Sequence, residues 1–173
     1  ANVLACNNIR PNTCTFYQFL GWKAERLPHY YRLGRRKDYQ LAKPLRYILP
    51  PVQRDLGLEK VEDVADLIPL GMPATPHTPV KDTWYLRRRY FHYPYFHYDV
   101  WAARENGKLL AYVVTRTVTA EETGCVPVVR LVDFIGEDAV LPRLGGALDA
   151  VLNRVGGEYM DCYNAGIPAE VWQ

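Results

Sequence analysis

The clearest apolar pattern lies toward the end of the chain. Val126–Ile135 (VPVVRLVDFI) is nearly continuous in apolar residues and reads as a buried strand. Ala139–Val155 then places Val140, Leu144, Ala147, Leu148, Val151, Leu152 and Val155 at helical spacing, and Glu158–Tyr163 reads as a strand again. Gly136-Glu137-Asp138 and Gly156-Gly157 supply the breaks, and a short helix closes the chain. A strand–helix–strand order calls for a crossover between two strands of one sheet. The cleft outside the carboxyl ends of such strands is where α/β sheets bind ligands. Asp133, Asp161, Tyr163 and Asn164 fall near those two ends.

Upstream, Tyr98–Arg104 and Lys108–Val118 form two strands around Glu105-Asn106-Gly107, an Asn-Gly hairpin signal. Lys81–Phe91 reads as a helix with Asp82 or Thr83 near its start, and Tyr93-Pro94 ends it. Residues 81–173 therefore spell one domain: helix, hairpin, loop over Thr119–Cys125, strand, helix, strand, helix. That order gives an α+β fold with a mixed sheet. Residues 35–80 read as a connector. Leu45–Pro51 ends in a proline pair, Lys60–Ile68 is a short acidic helix, and Pro69–Pro79 has linker composition. In residues 1–34, Val3–Cys6 is a short strand and Pro11–Leu20 a helix capped by Asn8 or Asn12 and ended by Gly21. Glu25–Leu33 is a strand whose Pro28 marks an edge or bulge.

An apolar share of 49% and a charged share of 23% are those of an ordinary globular protein. No apolar run reaches membrane-spanning length, and no basic-then-apolar leader opens the chain, so neither a span nor a signal peptide is expected. Cys6, Cys14, Cys125 and Cys162 show no CxxC and no His at metal-ligand spacing. Reduced thiols, a cytoplasmic setting and no metal are the expectation. The net charge of +2 hides an asymmetry: residues 1–58 hold ten Lys/Arg against three acids, while 120–173 hold three against nine. Such polarity suits a basic surface facing a nucleotide or CoA phosphate, or simply a solvated basic face.

Arg87-Arg88-Arg89 with Tyr85, Tyr90, Phe91, His92, Tyr93, Tyr95, Phe96, His97 and Tyr98 is the densest basic and aromatic cluster. On a helix these residues scatter over several faces, which argues against nucleic acid. A sugar-nucleotide surface using Arg88, with Tyr163 and Asn164 at the strand end, fits better. His29 and His77 read as packed or solvated side chains. His92 and His97 flank a turn and could face the cleft as a base, with His92 the catalytic candidate, or stand as packed or solvated side chains. Asp133 or Asp161 could orient an amine or accept its proton, or either could pair with Arg130 or Arg116 within the sheet.

Asn12-Thr13-Cys14-Thr15-Phe16-Tyr17-Gln18-Phe19-Leu20-Gly21-Trp22 resembles the closing motif of GNAT acetyltransferases. There an Asn opens a helix, a Tyr precedes a Gly by four residues, and an aromatic leads into the next strand. The resemblance continues into the strand at Glu25–Leu33. Residues 81–173 also look GNAT-like, or similar to FemAB-type transferases. Trp84–Pro94 followed by Tyr98-Asp99-Val100-Trp101 resembles a segment of GNAT-like proteins from cell-surface polysaccharide clusters. The resemblance implies a mixed central sheet flanked by helices, acetyl-CoA as co-substrate, and Tyr17 as the acid that protonates the departing thiolate. It also implies a phosphate loop of the pattern Arg/Gln-x-x-Gly-x-Gly opening the central helix. Here that junction reads Gly136–Gly146, with Arg143, Gly145 and Gly146 in a compressed form displaced into the helix, and with Glu137 and Asp138 bringing negative charge.

The chain thus reads as the end of one GNAT-like unit (1–34), a connector (35–80) and a second, degenerate unit (81–173), a piece of a longer protein. The expected function is acyl transfer from acetyl-CoA to a small-molecule amine, with a sugar nucleotide as the candidate acceptor. Tyr17, Asp133, Asp161 and His92 are the catalytic candidates, and Asn12, Arg143, Gly145 and Gly146 the cofactor contacts. The alternative is a non-catalytic GNAT-like module that binds a partner chain or supports the fold of a longer protein.

Overall fold

Asn106 and Gly107, with φ of 51° and 79°, close the tight turn between β3 (Asp99–Glu105) and β4 (Lys108–Val118). Positive φ at both central residues is what a two-residue hairpin turn requires, and the Asn-Gly pair adopts it with little strain. The computed structural model describes residues 10–49, 51–119, 121 and 124–172. The strand expected at Val3–Cys6 and the Asn8 cap lie outside the described residues.

β4 pairs antiparallel with β5 (Val128–Gly136). A right-sized crossover through helix then brings β6 (Tyr159–Tyr163) alongside β5 in parallel, as the apolar pattern requires. β1 (His29–Leu33) adds antiparallel to β6, and β2 (Glu59–Val61) antiparallel to β3. The fold is α+β, built on a six-stranded mixed sheet in the order β1-β6-β5-β4-β3-β2, with four α-helices among the described residues. None of those helices is long and apolar enough to cross a membrane.

Strand alternation splits the sheet into two faces. Trp101, Val113, Val129, Leu131 and Met160 point to one side, where α4 (Gly145–Arg154) packs Val151 and Leu152 against them. Burying a leucine such as Leu152 contributes roughly 2 kcal/mol. Val61, Val100, Tyr112, Val114 and Ile135 point to the opposite side, covered by Leu67 of α2 (Leu67–Leu70), Leu86 of α3 (Thr83–Leu86) and Tyr90. On that second face the helices cover β2 to β5; toward β6 and β1 the side chains of Tyr31, Arg130 and Tyr163 stay exposed.

Several elements depart from the sequence pattern for identifiable reasons. The helix expected over Ala139–Val155 is broken at Pro142, which lacks an N–H. Two 3₁₀ turns precede α4, which begins only at Gly145. The acidic helix expected over Lys60–Ile68 starts at Val64, because Asp63 caps it there, accepting from Ala65 N at 2.7 Å. Glu59–Val61 is instead an edge strand. The strand expected from Glu25 starts at His29, since Pro28 offers no donor and its carbonyl accepts from Asn164 N at 3.0 Å. α3 holds its Asp82 cap (Tyr85 N to Asp82 Oδ1, 2.7 Å), then widens into a π turn over Arg87–Phe91. α1 (Pro11–Phe19) starts with proline in its first turn, so Asn12 lies inside the helix and is not its cap.

Candidate functional site

β5 and β6 pair only at Val129↔Met160 and Arg130↔Asp161. Beyond those positions the two parallel strands no longer pair, and a fork opens toward their carboxyl ends. A bulge on β5 helps to open it: pairing with β4 passes from Val114↔Asp133 to Thr115↔Leu131, leaving Val132 as the extra residue. Bulges of this kind bend a strand and re-aim its side chains. The bulge and the strand alternation place Asp133 and Asp161 on the same face, one on each arm of the fork.

The two carboxylates have different surroundings. Asp133 accepts from Lys81 Nζ at 2.5 Å, from Tyr90 Oη at 2.5 Å and from Phe134 N at 2.9 Å. Burial, reinforced by the Asp133 carboxylate, pushes the Tyr90 phenol well above its ordinary range, so Tyr90 is a permanent donor. Asp161 is nearly buried. Its Oδ2 lies 3.1 Å from His29 Nε2 on β1, and its Oδ1 lies 3.9 Å from Arg130 Nε on β5. The His29 ring stacks on Tyr163, with centroids 4.1 Å apart and planes 6° from parallel.

On the opposite face of the fork lies a cleft of about 970 Å³ between α4, β1, β6 and the irregular stretches 43–49 and 51–53. Its volume suits a small ligand. Leu131, Leu141, Leu148, Leu152 and Met160 make an apolar floor, and the stacked rings of Tyr30 and Trp172, 5.0 Å apart, stand on one wall. Arg32 of β1 donates through two nitrogens to Asp149 of α4 within the same wall. Lys43 and Arg46 are exposed at the rim. Cys162 also lines the cleft. Burial first, then the Asp161 and Asp133 carboxylates, push its thiol up to about 12.

Stretches 43–49 and 51–53 are tied at their outer ends. At one end the fully buried Glu158 accepts from Gln40 N, Leu41 N and Ala42 N at 2.7, 2.7 and 2.6 Å. Burial alone would raise the Glu158 carboxyl, but these three donors outweigh it and hold it below its ordinary value. At the other end Gly146 N donates to Gln53 O at 2.8 Å. The approach is close: a β-carbon at Gly145 would meet Val52 at 2.7 Å, and one at Gly146 would meet Arg54 at 2.5 Å. Gly145 and Gly146 therefore open the helix and are not displaced into it, and the chain's own backbone covers the amino end of α4. Arg143, at the same junction, binds Asp55 at 2.6 Å and Glu105 at 2.5 Å.

The other expected site residues lie apart from the fork. α1 buries no residue. Asn12 is exposed on it, Tyr17 is half-buried with its ring 6.3 Å from Phe16, and neither lines the cleft. His92 is exposed at the end of the π turn, and Arg88 is exposed with its guanidinium 5.3 Å from the Trp84 ring. Tyr163 is exposed at the fork. Asn164 is buried in a turn, donating to Ile167 O at 2.6 Å and accepting from Ile167 N at 3.2 Å. Asp161 takes the Arg130 pairing that its neighbourhood suggested, while Asp133 pairs with Lys81 and Tyr90 and not with Arg130 or Arg116. No protein-family model matches the chain, and no curated protein matches it.

No local sequence pattern marks His29, Lys81 or Tyr90 as a site residue. His29 meets Asp161 across 132 positions of sequence, through a β1–β6 pairing that no local pattern announces. Tyr90 was legible as a core aromatic, yet its aim at Asp133 depends on the π turn.

Proposed function

We propose that this chain binds an acyl thioester such as acetyl-CoA in the cleft beneath α4. Its acyl group is then offered, at the β5–β6 fork, to an amine arriving on the opposite face. This is N-acyl transfer of GNAT type. The observation that carries the reading is the cleft itself: an apolar floor that ends at diverging parallel strands, with carboxylates on the far side and cations at its rim. A thioester arm is apolar for most of its length and anionic at its phosphates, so it matches both the floor and the Lys43/Arg46 rim. The phosphates would meet that rim and not the amino end of α4, where Gln53 O already occupies a leading donor. The acceptor class we favour is an amino sugar carried on a nucleotide, with the exposed Tyr163 ring as a stacking surface. A cytoplasmic setting suits the free thiols of Cys14, Cys125 and Cys162.

The second reading is a ligand-binding module that carries no catalysis itself and serves a longer protein. It is favoured by Tyr17, which lines no part of the cleft, and by Arg143, whose charge is matched by Asp55 and Glu105. Calorimetric titration separates the two. Under the first reading acetyl-CoA binds saturably, and Leu148→Trp, which fills the cleft, weakens it by about tenfold or more, ~1.4 kcal/mol. If a nucleotide-linked amino sugar binds and acetyl-CoA does not, the module reading replaces it. Binding of neither to folded protein rejects both.

A further inference from the structure

We propose that His29 is a general base, oriented by Asp161 and clamped by Tyr163, that takes the proton from the acceptor amine at the fork. The proposal rests on the acyl-transfer reading, but it is carried by a separate group of residues. A carboxylate only accepts hydrogen bonds, so the imidazole nitrogen facing Asp161 Oδ2 at 3.1 Å, Nε2, carries the ring proton. Nδ1 is then left with its lone pair, and it has no hydrogen-bond partner among the described residues. The His29 side chain is 39% exposed while that of Asp161 is 6% exposed, so the orienting group is sheltered and the basic nitrogen is reachable. Stacking on Tyr163 fixes the ring plane. This is the base-and-orienter arrangement of general-base catalysis, with the nucleophile supplied by the substrate.

The position fits the role. Asp161 is the last β6 residue paired with β5, at the root of the fork; it borders the cleft, but alternation with Met160 and Cys162, which pack toward α4, turns its side chain to the other face. The charged and titratable groups near it are Arg130 on β5, 3.9 Å from Asp161, Tyr31 on β1, which pairs with Asp161, and Tyr159, Cys162 and Tyr163 on β6. Across the fork, the oxygens of Asp133 are already engaged by Lys81 and Tyr90, which leaves His29 as the accessible base. In the step, the acceptor nitrogen forms the C–N bond to the acyl carbon and the C–S bond breaks with its electron pair leaving on sulfur. The amine proton passes to His29 Nδ1 and is released to water.

The test uses the whole chain with p-nitrophenyl acetate as acyl donor and benzylamine as acceptor, followed as nitrophenolate release across pH. This donor has no phosphate or pantetheine, so its result does not depend on the cleft binding a thioester. The calorimetric failure of the acyl-transfer reading and the failure of His29 are thereby read separately. The expected result is a rate above buffer that rises as an imidazole deprotonates. It falls about tenfold or more in His29→Gln, falls less in Asp161→Asn with the pH profile displaced, and stays unchanged in His97→Gln. Should either variant fail to fold, wild-type protein treated with diethylpyrocarbonate, with the modified histidine located by mass spectrometry, gives the same answer. Loss of rate in step with His29 modification supports the proposal. An unmodified rate in His29→Gln, or after full modification of His29, overturns it.

Discussion

The two arms of the fork carry the same functional group in opposite states. On β5, Asp133 is held by an ammonium, a phenol that stays protonated and a backbone N–H, all within 2.9 Å. On β6, Asp161 has one imidazole at 3.1 Å and a guanidinium at 3.9 Å. A carboxylate held by three close donors acts as an anchor. It fixes Lys81 and the π turn to the sheet. A carboxylate whose nearest partner is a reachable histidine orients that ring and sets its tautomer. The difference separates a structural from a chemical use of Asp on neighbouring strands, and it can be broken at several points.

The largest effect belongs to the anchored arm. Asp133→Ala leaves the Lys81 ammonium and Tyr90 hydroxyl facing each other without their acceptor, and should cost about 3–5 kcal/mol in urea unfolding. Asp161→Asn keeps the shape and leaves only exposed partners, so it should cost about 1 kcal/mol or less in the same measurement. Equal losses at the two positions would erase the distinction.

Glu158 extends the anchored class to the segment over the cleft. Glu158→Gln places an amide NH₂ against backbone donors and should cost about 2–3 kcal/mol, with faster amide exchange at Gln40–Ala42. The sign of its pH dependence follows from the depressed carboxyl. Its stabilisation is fully present above the unfolded value of 4.5 and is lost as pH falls through the lower folded value. Acid titration of wild-type stability should show that loss, and Glu158→Gln should flatten it. The smallest effect concerns Cys162. With its thiol pushed up to about 12 it should alkylate with iodoacetamide far more slowly at neutral pH than the exposed Cys125. Comparable rates would mean that Cys162 is open to solvent and the fork wider than described.

The features that local pattern controls were legible in the sequence. The Asn106-Gly107 hairpin, the crossover from β5 to β6 and the siting of Asp133 and Asp161 near strand ends all follow from apolar periodicity and turn residues. The features that depend on distant pairing were not. β2 looked like part of an acidic helix because only its bond to β3 makes it a strand. His29 looked like a scattered histidine because Tyr163 and Asp161 reach it only when β1 closes the sheet edge. The helix break at Pro142 was legible in principle, since a missing N–H outweighs apolar spacing. It matters for the site, because it moves Gly145 and Gly146 to the helix start and lets Gln53 cap it.

The most direct measurement is hydrogen–deuterium exchange of the whole chain with and without saturating acetyl-CoA. The account predicts slowed exchange in 43–49, in 51–53 and in α4, around the cleft, with no change over the exposed α1 or the π turn at Arg87–Phe91. Protection confined to α1, or no protection anywhere in folded protein, would contradict a thioester site beneath α4.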